Sequence, residues 1–384
     1  MLPAPACGRA PGEPAPGGPM RASRRVRVGV PAPLLALAPA GGHGKVWHRV
    51  LSVLRGAVPI VSIDPNRAAR GGPRRRQLRQ PTVVLADGHA ELPLARAPLV
   101  VAVLEAGWFE TELRETLTPE FYDYMSARTE QAVRAAAHVI TISAAARRDL
   151  LREYRLEPDR VHAVHLGLDP VFRPGAEGGR ALVARVRGGP DVPYVLYAAT
   201  LHPRKNLPVL RAAMARLAAA GFPHVLVVAG GPAPDRPDSS DLERAACAEL
   251  SGAPDRIVRL REPSDHDLAG LMAGADAFCL PSLYEGFGLT ALEAMGCGAP
   301  VVVSDRGALP EVVGDAGLVV EPSVPSLTAA LGSLLSDPAK AQELGERAAV
   351  RARGFTWERT AAGWLEVLQR AGGEPAGAPY TRAR

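Results

Sequence analysis

Two glutamates, Glu285 and Glu293, lie eight residues apart in the segment "YEGFGLTALEAMG". The short apolar run before them, residues 277–280, is typical of a buried strand, and apolar residues recur at helical spacing after Gly288. The two carboxylates therefore flank a turn at which a strand ends and a helix begins.

Such a turn has the chemistry of an anion site. The first backbone N–H groups of a helix lack partners and the helix dipole adds partial positive charge, so a phosphate group fits there. Gly286 and Gly288 allow the backbone to approach it closely. Glu285 and Glu293, roughly 7–8 Å apart along the helix axis, repel phosphate but accept hydrogen bonds from hydroxyls. The pattern suits a diphosphate with hydroxyls on both sides, as in a nucleotide-sugar. The alternative is a surface helix with two solvated glutamates.

The composition is that of a globular protein. A chain of 384 residues, 47% hydrophobic and 22% charged, is long enough for two domains. The cysteines, without metal-ligand spacing, are Cys7, Cys247, Cys279 and Cys297. The net charge of +5 is not accompanied by interleaved aromatic residues that would stack on bases. We therefore expect a cytoplasmic protein, in a reducing compartment, with no nucleic-acid partner.

One stretch is strongly basic. Six arginines share a loop that also contains Gly and Pro: Arg67, Arg70, Arg74, Arg75, Arg76 and Arg79. Such a patch could contact an anionic membrane surface or an acidic acceptor. The alternative is a solvated loop in an arginine-rich chain. No apolar run reaches about 18 residues, so no membrane span is predicted.

The first residues are rich in Pro, Gly and Ala, which predicts a disordered extension over 1–24. Residues 21–42 imitate a secretory signal, with a basic start and an apolar middle. However, Pro31, Pro33 and Pro39 interrupt that middle. The same residues are equally typical of a first strand followed by a glycine loop.

Strand-like and helical stretches alternate along the chain, which predicts an α/β protein with parallel sheets covered by helices. The predicted strands are 26–30, 57–63, 82–85, 99–104, 138–142, 161–165, 194–198, 224–229, 257–260, 277–280, 301–304 and 317–320. The predicted helices include 45–55, 122–137, 144–154, 207–220, 267–273 and 289–296. Two such sheets fit the length.

A Gly/Pro/Arg-rich stretch near residues 172–193 predicts a domain boundary. We expect an N-terminal domain over 25–175, a C-terminal domain over 190–355, a helix over 356–371 and a flexible tail over 372–384. Ligands of open α/β sheets bind at the carboxyl ends of the strands. Two such domains facing each other would therefore form a cleft.

Several segments resemble one known family. "PSLYEGFGLTALEAMGCGAPVVVSDRGALPEVVGDAGLVVEP" and "ATLHPRKNLPVLRAAMARL" are similar to its phosphate-binding signatures, and "HVITISAAARRDLL", "VHAVHLGLDPVFRP" and "FTWERTAAGWLEVL" to further segments. On these residues the chain is identified as a member of the retaining glycosyltransferases of family 4, or group 1, which include many mannosyl- and glucosyltransferases. The resemblance covers about residues 27–370. It implies the GT-B fold, in which two Rossmann-like domains face a central cleft and a final helix crosses back to the first domain.

The resemblance also implies roles for residues. Arg204 and Lys205 would neutralise the donor diphosphate, and Glu285 would contact hydroxyls of the donor sugar. The departing nucleoside diphosphate develops negative charge, which fixed cations in a dry cleft stabilise. The donor-binding residues would be Gly286, Phe287, Gly288, Leu289, Thr290 and Glu293, with Glu293 on the ribose. Without the resemblance, "RKN" would be an ordinary surface turn.

In the first domain, Gly41, Gly42 and Gly44 with Lys45 resemble the family's glycine loop after the first strand, which faces the diphosphate and the acceptor. His89 would face the same cleft. The family needs no divalent metal, so no metal and no cofactor beyond the nucleotide-sugar is expected. The histidines of "HAVH", residues 162–165, are interpreted as structural.

One position departs from the family pattern. Leu104 stands where the family often has a histidine near the reactive carbon of the sugar, and Glu105 follows it, so either the strand is shifted relative to the family's or this branch does without the histidine. Retention in this family is usually explained by attack on the face from which the phosphate leaves, with a phosphate oxygen taking the acceptor proton. A protein base is then not obligatory. Activity is expected, but a nucleotide-binding homologue without activity stays open.

The expected function is therefore metal-independent transfer of a hexose, with retention, from a nucleotide-sugar to a hydroxyl. GDP-mannose is the first expected donor and a UDP-sugar the second. The expected acceptor is a polysaccharide, a lipid-linked glycan or a natural product, with possible peripheral contact at the inner membrane face. The alternatives are a catalytically silent homologue or partner subunit and, less in keeping with the motifs, an epimerase of nucleotide-sugars.

Overall fold

The computed structural model describes residues 26–38, 41–64, 80–93, 96–109, 111–114, 118–231 and 256–373. The predicted disordered extension 1–24, the arginines of 67–79, and Cys7 and Cys247 lie outside the described residues.

The first sheet is six-stranded and wholly parallel, in the order β2-β1-β3-β4-β5-β6. Its strands are β1 (Val28–Pro31), β2 (Ile60–Ile63), β3 (Val83–Asp87), β4 (Leu99–Val103), β5 (His138–Thr141) and β6 (Val161–Ala163). Every residue of β3 and β4 is buried. Continuous burial is expected when helices cover both faces of a parallel sheet.

The second sheet is also six-stranded and parallel, in the order β12-β11-β10-β7-β8-β9. Its strands are β7 (Tyr194–Ala198), β8 (Val225–Ala229), β9 (Ile257–Leu260), β10 (Ala277–Leu280), β11 (Val301–Ser304) and β12 (Leu318–Val320). The predicted α/β class with two parallel sheets is confirmed.

Helices connect the strands within the described residues. They are α1 (Ala32–Leu35), α2 (Gly41–Ala57), α3 (Thr111–Arg114), α4 (Pro119–Ala135), α5 (Ala144–Tyr154), α6 (Gly179–Arg187), α7 (Leu207–Ala219), α8 (Asp265–Ala273), α9 (Leu289–Gly296), α10 (Leu309–Val313), α11 (Val324–Leu335), α12 (Pro338–Ala352) and α13 (Trp357–Gly373).

The predicted glycine loop after the first strand is wrong. The short helix α1 follows β1 instead, and Gly41, Gly42 and Gly44 form the first turn of α2. Gly41 has a φ of +65°, which a glycine adopts readily at the entry to a helix. The helix also runs on to Ala57, so the strand predicted at 57–63 is shortened to β2. Burial of Trp47, Val50 and Leu54 on one face holds the long helix in place.

The last helix, α13, packs on the first sheet and on α2 rather than on the second sheet that precedes it in the chain. Trp364 of α13 and Trp47 of α2 are both fully buried, with ring centroids 5.4 Å apart and planes almost perpendicular. Such edge-to-face contacts are favourable because the positive edge of one ring meets the negative face of the other. Helix α13 extends to Gly373, past the predicted start of the tail at 372, and residues 374–384 lie outside the described residues. The domain boundaries themselves stay a prediction.

Candidate functional site

The candidate residues follow the strands at which the strand order of each sheet reverses. In the first sheet, the neighbours β1 and β3 lead into α2 and into His89. In the second sheet, the neighbours β7 and β10 lead into the turn Pro203–Lys205 and the turn before α9. Ligands of open parallel sheets bind at such reversals. The two sheets therefore contribute their ligand-binding edges to one cleft.

A charged cluster lies at the second sheet's edge. The Lys205 Nζ atom donates to Glu285 Oε1 at 2.6 Å, and Ser282 Oγ donates to the same oxygen at 2.7 Å. Arg204 Nη1 lies 3.5 Å from Glu285 Oε2 and donates to the Tyr284 carbonyl at 2.8 Å. The side chains of Lys205 and Glu285 are only 12% and 9% exposed. The three residues predicted as catalytic are thus brought into direct contact.

The charges in this cluster depend on one another. Burial alone would raise the pKa of Glu285, but Lys205 and Arg204 outweigh it and lower that pKa below the ordinary value. Burial lowers the pKa of Lys205, an effect that Arg204 adds to and Glu285 opposes. Burial also opposes the charge of Arg204, yet Glu105 and Glu285 raise its pKa. The carboxylate of Glu285 therefore stays ionised and holds two cations at the cleft.

The cluster reaches across the cleft through Arg204. Its Nη2 atom lies 3.0 Å from Glu105 Oε1, and Glu105 follows β4 of the first sheet. Glu105 follows Leu104, the position at which the family resemblance implies a histidine. The sequence did not identify Glu105 as a site residue, although an acidic residue directly after a buried strand could have done so.

The turn before α9 needs its glycines. Gly288 precedes the helix with a φ of +94°, a conformation that side chains rarely adopt. A Cβ atom on Gly286 would lie 2.9 Å from the Leu104 carbonyl oxygen, so the first sheet's loop approaches this turn closely. Phe287 is buried, with its ring 5.8 Å from that of His165, while Leu289 and Thr290 are half-buried. The backbone N–H groups at the start of α9 could therefore hold an anion beside Phe287.

Glu293 lies in the second turn of α9 and is 3% exposed. Its Oε1 atom is 3.5 Å from Nζ of Lys45, which also donates to Asp265 Oδ1 at 2.8 Å. Burial raises the pKa of Glu293 to about 7 even though Lys45 opposes the shift. Burial lowers the pKa of Lys45, but Glu293 and Asp265 together raise it above the ordinary value. The ammonium of Lys45 thus joins α2 of the first sheet to α8 and α9 of the second.

The first sheet contributes a hydrogen-bonded group around Asp87, which ends β3. Nε2 of His43 lies 2.6 Å from Asp87 Oδ2, and the Trp47 indole N–H donates to the same oxygen at 2.6 Å. The backbone N–H of His89 donates to Asp87 Oδ1 at 2.8 Å. Burial lowers the pKa of His89, although Asp87 and Glu105 oppose it. His89 follows β3, and its place at the cleft stays a prediction, whereas exposed Gly42 and buried Gly44 belong to a helical turn.

The donor atoms of His43, Asp87 and His89 all lie within 4.8 Å of one another, which is close enough for three ligands of one metal ion. The oxygens of Asp87, however, already accept three hydrogen bonds from the protein. The contacts are those of a hydrogen-bonded network. The expectation that no metal takes part stays a prediction.

The histidines interpreted as structural contact other protein groups. His162 Nε2 lies 3.0 Å from His138 Nδ1, and burial lowers the pKa of His162 to about 4. His165 hydrogen-bonds to Glu311, a residue of α10 in the second half of the chain. Glu311 also accepts from the backbone N–H groups of Ala144 and Ala145 at the start of α5, at 2.8 and 3.1 Å. A carboxylate from one half thus caps a helix of the other.

None of the described helices combines the length and the apolar character needed to cross a membrane.

Comparison with known proteins agrees with this architecture. Residues 185–351 match the family described as glycosyl transferases group 1. The chain is 34% identical over 277 residues to the MMP alpha-(1->4)-mannosyltransferase of Mycolicibacterium hassiacum, with 71% of this chain and 62% of the relative covered. It is 34% identical over 263 residues to the alpha-maltose-1-phosphate synthase of Mycolicibacterium smegmatis, with 65% and 67% covered. The match covers less than two thirds of the mannosyltransferase and about two thirds of the synthase.

Among solved structures, the sucrose-phosphate synthase of Thermosynechococcus elongatus superposes with a TM-score of 0.70 at 21% identity, over 90% of this chain and 98% of that one. Identity this low shows the fold alone. The predicted GT-B fold, two parallel α/β units facing one cleft, is confirmed.

The raised pKa of Glu293 makes a testable prediction. Its pKa of about 7 lies above the value near 4.3 expected in the unfolded chain. The neutral carboxyl therefore favours folding below about pH 4.3, and this contribution is lost as the pH rises through about 7. Relative to Glu293→Gln, we expect the free energy of unfolding of the wild type to fall by on the order of 2–3 kcal/mol between pH 5 and pH 8.

Urea denaturation of both proteins at several pH values measures this difference. Exposed Glu366 of α13 offers a matched control, because Glu366→Gln should leave the wild-type pH profile unchanged. If the free energy of unfolding varies with pH in the same way in the wild type and in Glu293→Gln, folding does not raise the pKa of Glu293.

Proposed function

Because this chain belongs to the glycosyl transferases group 1 family, we propose that it transfers a hexose from a nucleotide-sugar to a hydroxyl acceptor. The observation that carries the proposal is the buried contact of Arg204 and Lys205 with Glu285, beside a glycine-flanked helix start. Two cations near the N-terminus of α9 would suit the binding of a diphosphate in the cleft.

The chemistry of transfer explains such an arrangement. When the bond between the sugar and the diphosphate breaks, negative charge develops on the leaving phosphate oxygens. Cations already fixed in a water-poor cleft stabilise this charge without having to reorganise. Glu285 fixes Lys205 by a direct hydrogen bond and Arg204 by charge, so these cations are held in place before the donor arrives. The same cations make a divalent metal unnecessary in the proposed reaction.

The hydroxyls at either end of the donor would meet the two glutamates. The Glu293 Oε1 atom lies 3.5 Å from Lys45 Nζ. When the nucleotide binds, the two ribose hydroxyls would replace the ammonium as hydrogen-bond donors to Glu293. Glu285 already accepts hydrogen bonds from Lys205 and Ser282. Its contact with sugar hydroxyls would use its remaining lone pairs. We further propose that the anomeric configuration is retained.

For the donor we propose GDP-mannose first and a UDP-sugar second, because one relative is named as a mannosyltransferase. For the acceptor we propose a hydroxyl of a polysaccharide, a lipid-linked glycan or a natural product. Contact of the arginines of 67–79 with an anionic membrane at the inner face belongs to the same proposal. Those arginines lie outside the described residues.

A second candidate is a homologue that binds nucleotide-sugar without turning it over. Leu104, at the position where the family resemblance implies a histidine, is a buried apolar residue. Formation of a glycosylated product, or release of nucleoside diphosphate from the donor, separates the two candidates. The anomeric configuration of the product, read by proton NMR coupling constants, tests retention.

The donor class can be measured first by thermal unfolding with guanosine, uridine, adenosine and thymidine diphosphates. We expect guanosine diphosphate to raise the melting temperature most, since a ligand at a hundred times its Kd adds about 2.7 kcal/mol of stability. The shift should survive a chelator, because Arg204 and Lys205 supply the positive charge. Absence of a shift with all four nucleotides would contradict the proposed donor site.

The role of Lys205 can be tested by substitution. Lys205→Ala removes a cation that touches Glu285, and we expect transfer to fall by roughly 100- to 1,000-fold, the range typical for one transition-state donor. The fold should persist at reduced stability, because Arg204 still compensates the Glu285 charge, and circular dichroism and thermal unfolding check this. Exposed Lys340 of α12 provides the matched control, since Lys340→Ala removes one lysine far along the chain from the site. Full activity in Lys205→Ala would disprove the site assignment.

A further inference from the structure

The side chain of Tyr284, the residue before Glu285, has no role in the donor site described above. Tyr284 belongs to the turn between β10 and α9 of the second half, yet its hydroxyl donates to Asp149 Oδ2 of α5 at 2.7 Å. Tyr284 is only 2% exposed, and Asp149 is 8% exposed. A hydrogen bond from a hydroxyl to a carboxylate is among the stronger kinds in proteins. The phenol is therefore anchored in the first half of the molecule.

Gly107 provides the space that the Tyr284 ring fills. This glycine follows β4 of the first sheet, and a Cβ atom at its position would overlap with ring carbons of Tyr284. Because protein interiors are close-packed, a larger residue there would displace the ring. We call Gly107 and Asp149 the Tyr284 socket. Two elements of the first half, the turn after β4 and helix α5, thus hold one side chain of the second half.

The backbone around Tyr284 is tied to the cations of the candidate donor site. Arg204 Nη1 donates to the Tyr284 carbonyl at 2.8 Å, and the Leu283 N–H donates to the Arg204 carbonyl at 2.8 Å. The next residue is Glu285, which accepts a hydrogen bond from Lys205. Tyr284 therefore joins the charged cluster, through its backbone, to the first half, through its side chain.

The proposed transfer needs the two halves in register. The residues proposed to bind the nucleotide, Arg204, Lys205 and Glu293, all belong to the second half. The acceptor would bind on the first half and must meet the donor sugar at contact distance, and a misplacement of about 1 Å can cost on the order of 100-fold in rate. A side chain of one half in a socket of the other fixes this register. When the halves separate, the hydroxyl and the carboxylate are hydrated instead, so the contact can be made and broken.

We propose that Tyr284 is a positioning residue that latches the two halves in the arrangement needed for transfer; this rests on the transferase function proposed above. With the phenol in its socket, the Glu285 cluster faces the first half at a fixed distance. Without the hydrogen bond, the nucleotide still binds to the second half, but the closed arrangement is less populated. An enzyme turns over in proportion to the fraction of its molecules in the competent state.

The first test compares Tyr284→Phe with Tyr124→Phe, a matched control on the exposed face of α4. The assay is release of nucleoside diphosphate from GDP-mannose and from UDP-glucose. We expect kcat of Tyr284→Phe to fall roughly 10- to 100-fold, the factor that corresponds to one hydrogen bond to a charged group. The Kd for guanosine or uridine diphosphate should stay close to the wild-type value, because the proposed ligands of the nucleotide are unchanged. Tyr124→Phe should behave as wild type.

The socket can also be changed while Tyr284 stays in place. Gly107→Ala should expel the ring and lower kcat at least as much as Tyr284→Phe. Asp149→Ala should reproduce Tyr284→Phe, and the variant with both changes should be about as active as either alone, because the two residues act through one contact. Asp149→Asn keeps an acceptor oxygen and should retain most of the activity. Circular dichroism checks that each variant folds.

Small-angle X-ray scattering gives a readout that does not depend on turnover. Without nucleotide, we expect a larger radius of gyration for Tyr284→Phe and Gly107→Ala than for the wild type, and no change for Tyr124→Phe. A wild type that turns over no donor would overturn the proposed function and the positioning role with it. The scattering would still decide whether Tyr284 holds the halves together.

Three results would overturn the inference. Tyr284→Phe could keep the wild-type kcat, or it could be slow with the radius of gyration of the wild type, which would rule out a latch. Alternatively, Tyr284→Phe could lose binding of nucleoside diphosphate in proportion to kcat, which would make Tyr284 part of the donor site.

Discussion

The contact of Lys205 and Arg204 with the Glu285 carboxylate is the interaction on which the rest of the site depends. Three charged groups lie where little water reaches them, and each is tolerated only because the others are present. Removing one partner of a buried ion pair leaves an uncompensated charge, which costs several kcal/mol. The Glu285 carboxylate therefore holds the two cations, Arg204 and Lys205, in a fixed place. The glycines before α9 then let an anion approach both the cations and the helix start.

Two ion pairs join the halves of the molecule across the cleft. Glu105 of the first sheet contacts Arg204, and Glu293 of the second contacts Lys45. In the proposed function, a diphosphate would bring the negative charge that Glu105 supplies, and the two would compete for Arg204. Binding of the donor would then be coupled to the contacts that join the halves of the molecule. The cap that Glu311 places on α5 is a third contact of this kind.

Local pattern predicted the two parallel sheets, and the family resemblance rather than local pattern pointed to Arg204, Lys205 and Glu285. Apolar runs and glycine turns are encoded within short windows, and the family's motifs are short as well. The prediction of a glycine loop was wrong because the buried face formed by Trp47, Val50 and Leu54 stabilises a helix that extends back over the glycines. The pairs His43–Asp87, Arg204–Glu105 and Lys45–Glu293 were not predicted. Each joins residues far apart in the chain, which only the packing of strands and sheets brings together.

The central claim is that Arg204, Lys205 and the N-terminus of α9 bind the diphosphate of a nucleotide-sugar. A crystal structure of the complex with guanosine or uridine diphosphate tests this most directly. The account predicts phosphate oxygens within about 3 Å of Lys205 Nζ and the Arg204 guanidinium, with the contact between Arg204 and Glu105 broken and the ribose on Glu293. A nucleotide bound elsewhere, with Arg204 still on Glu105 and Lys45 still on Glu293, would contradict it.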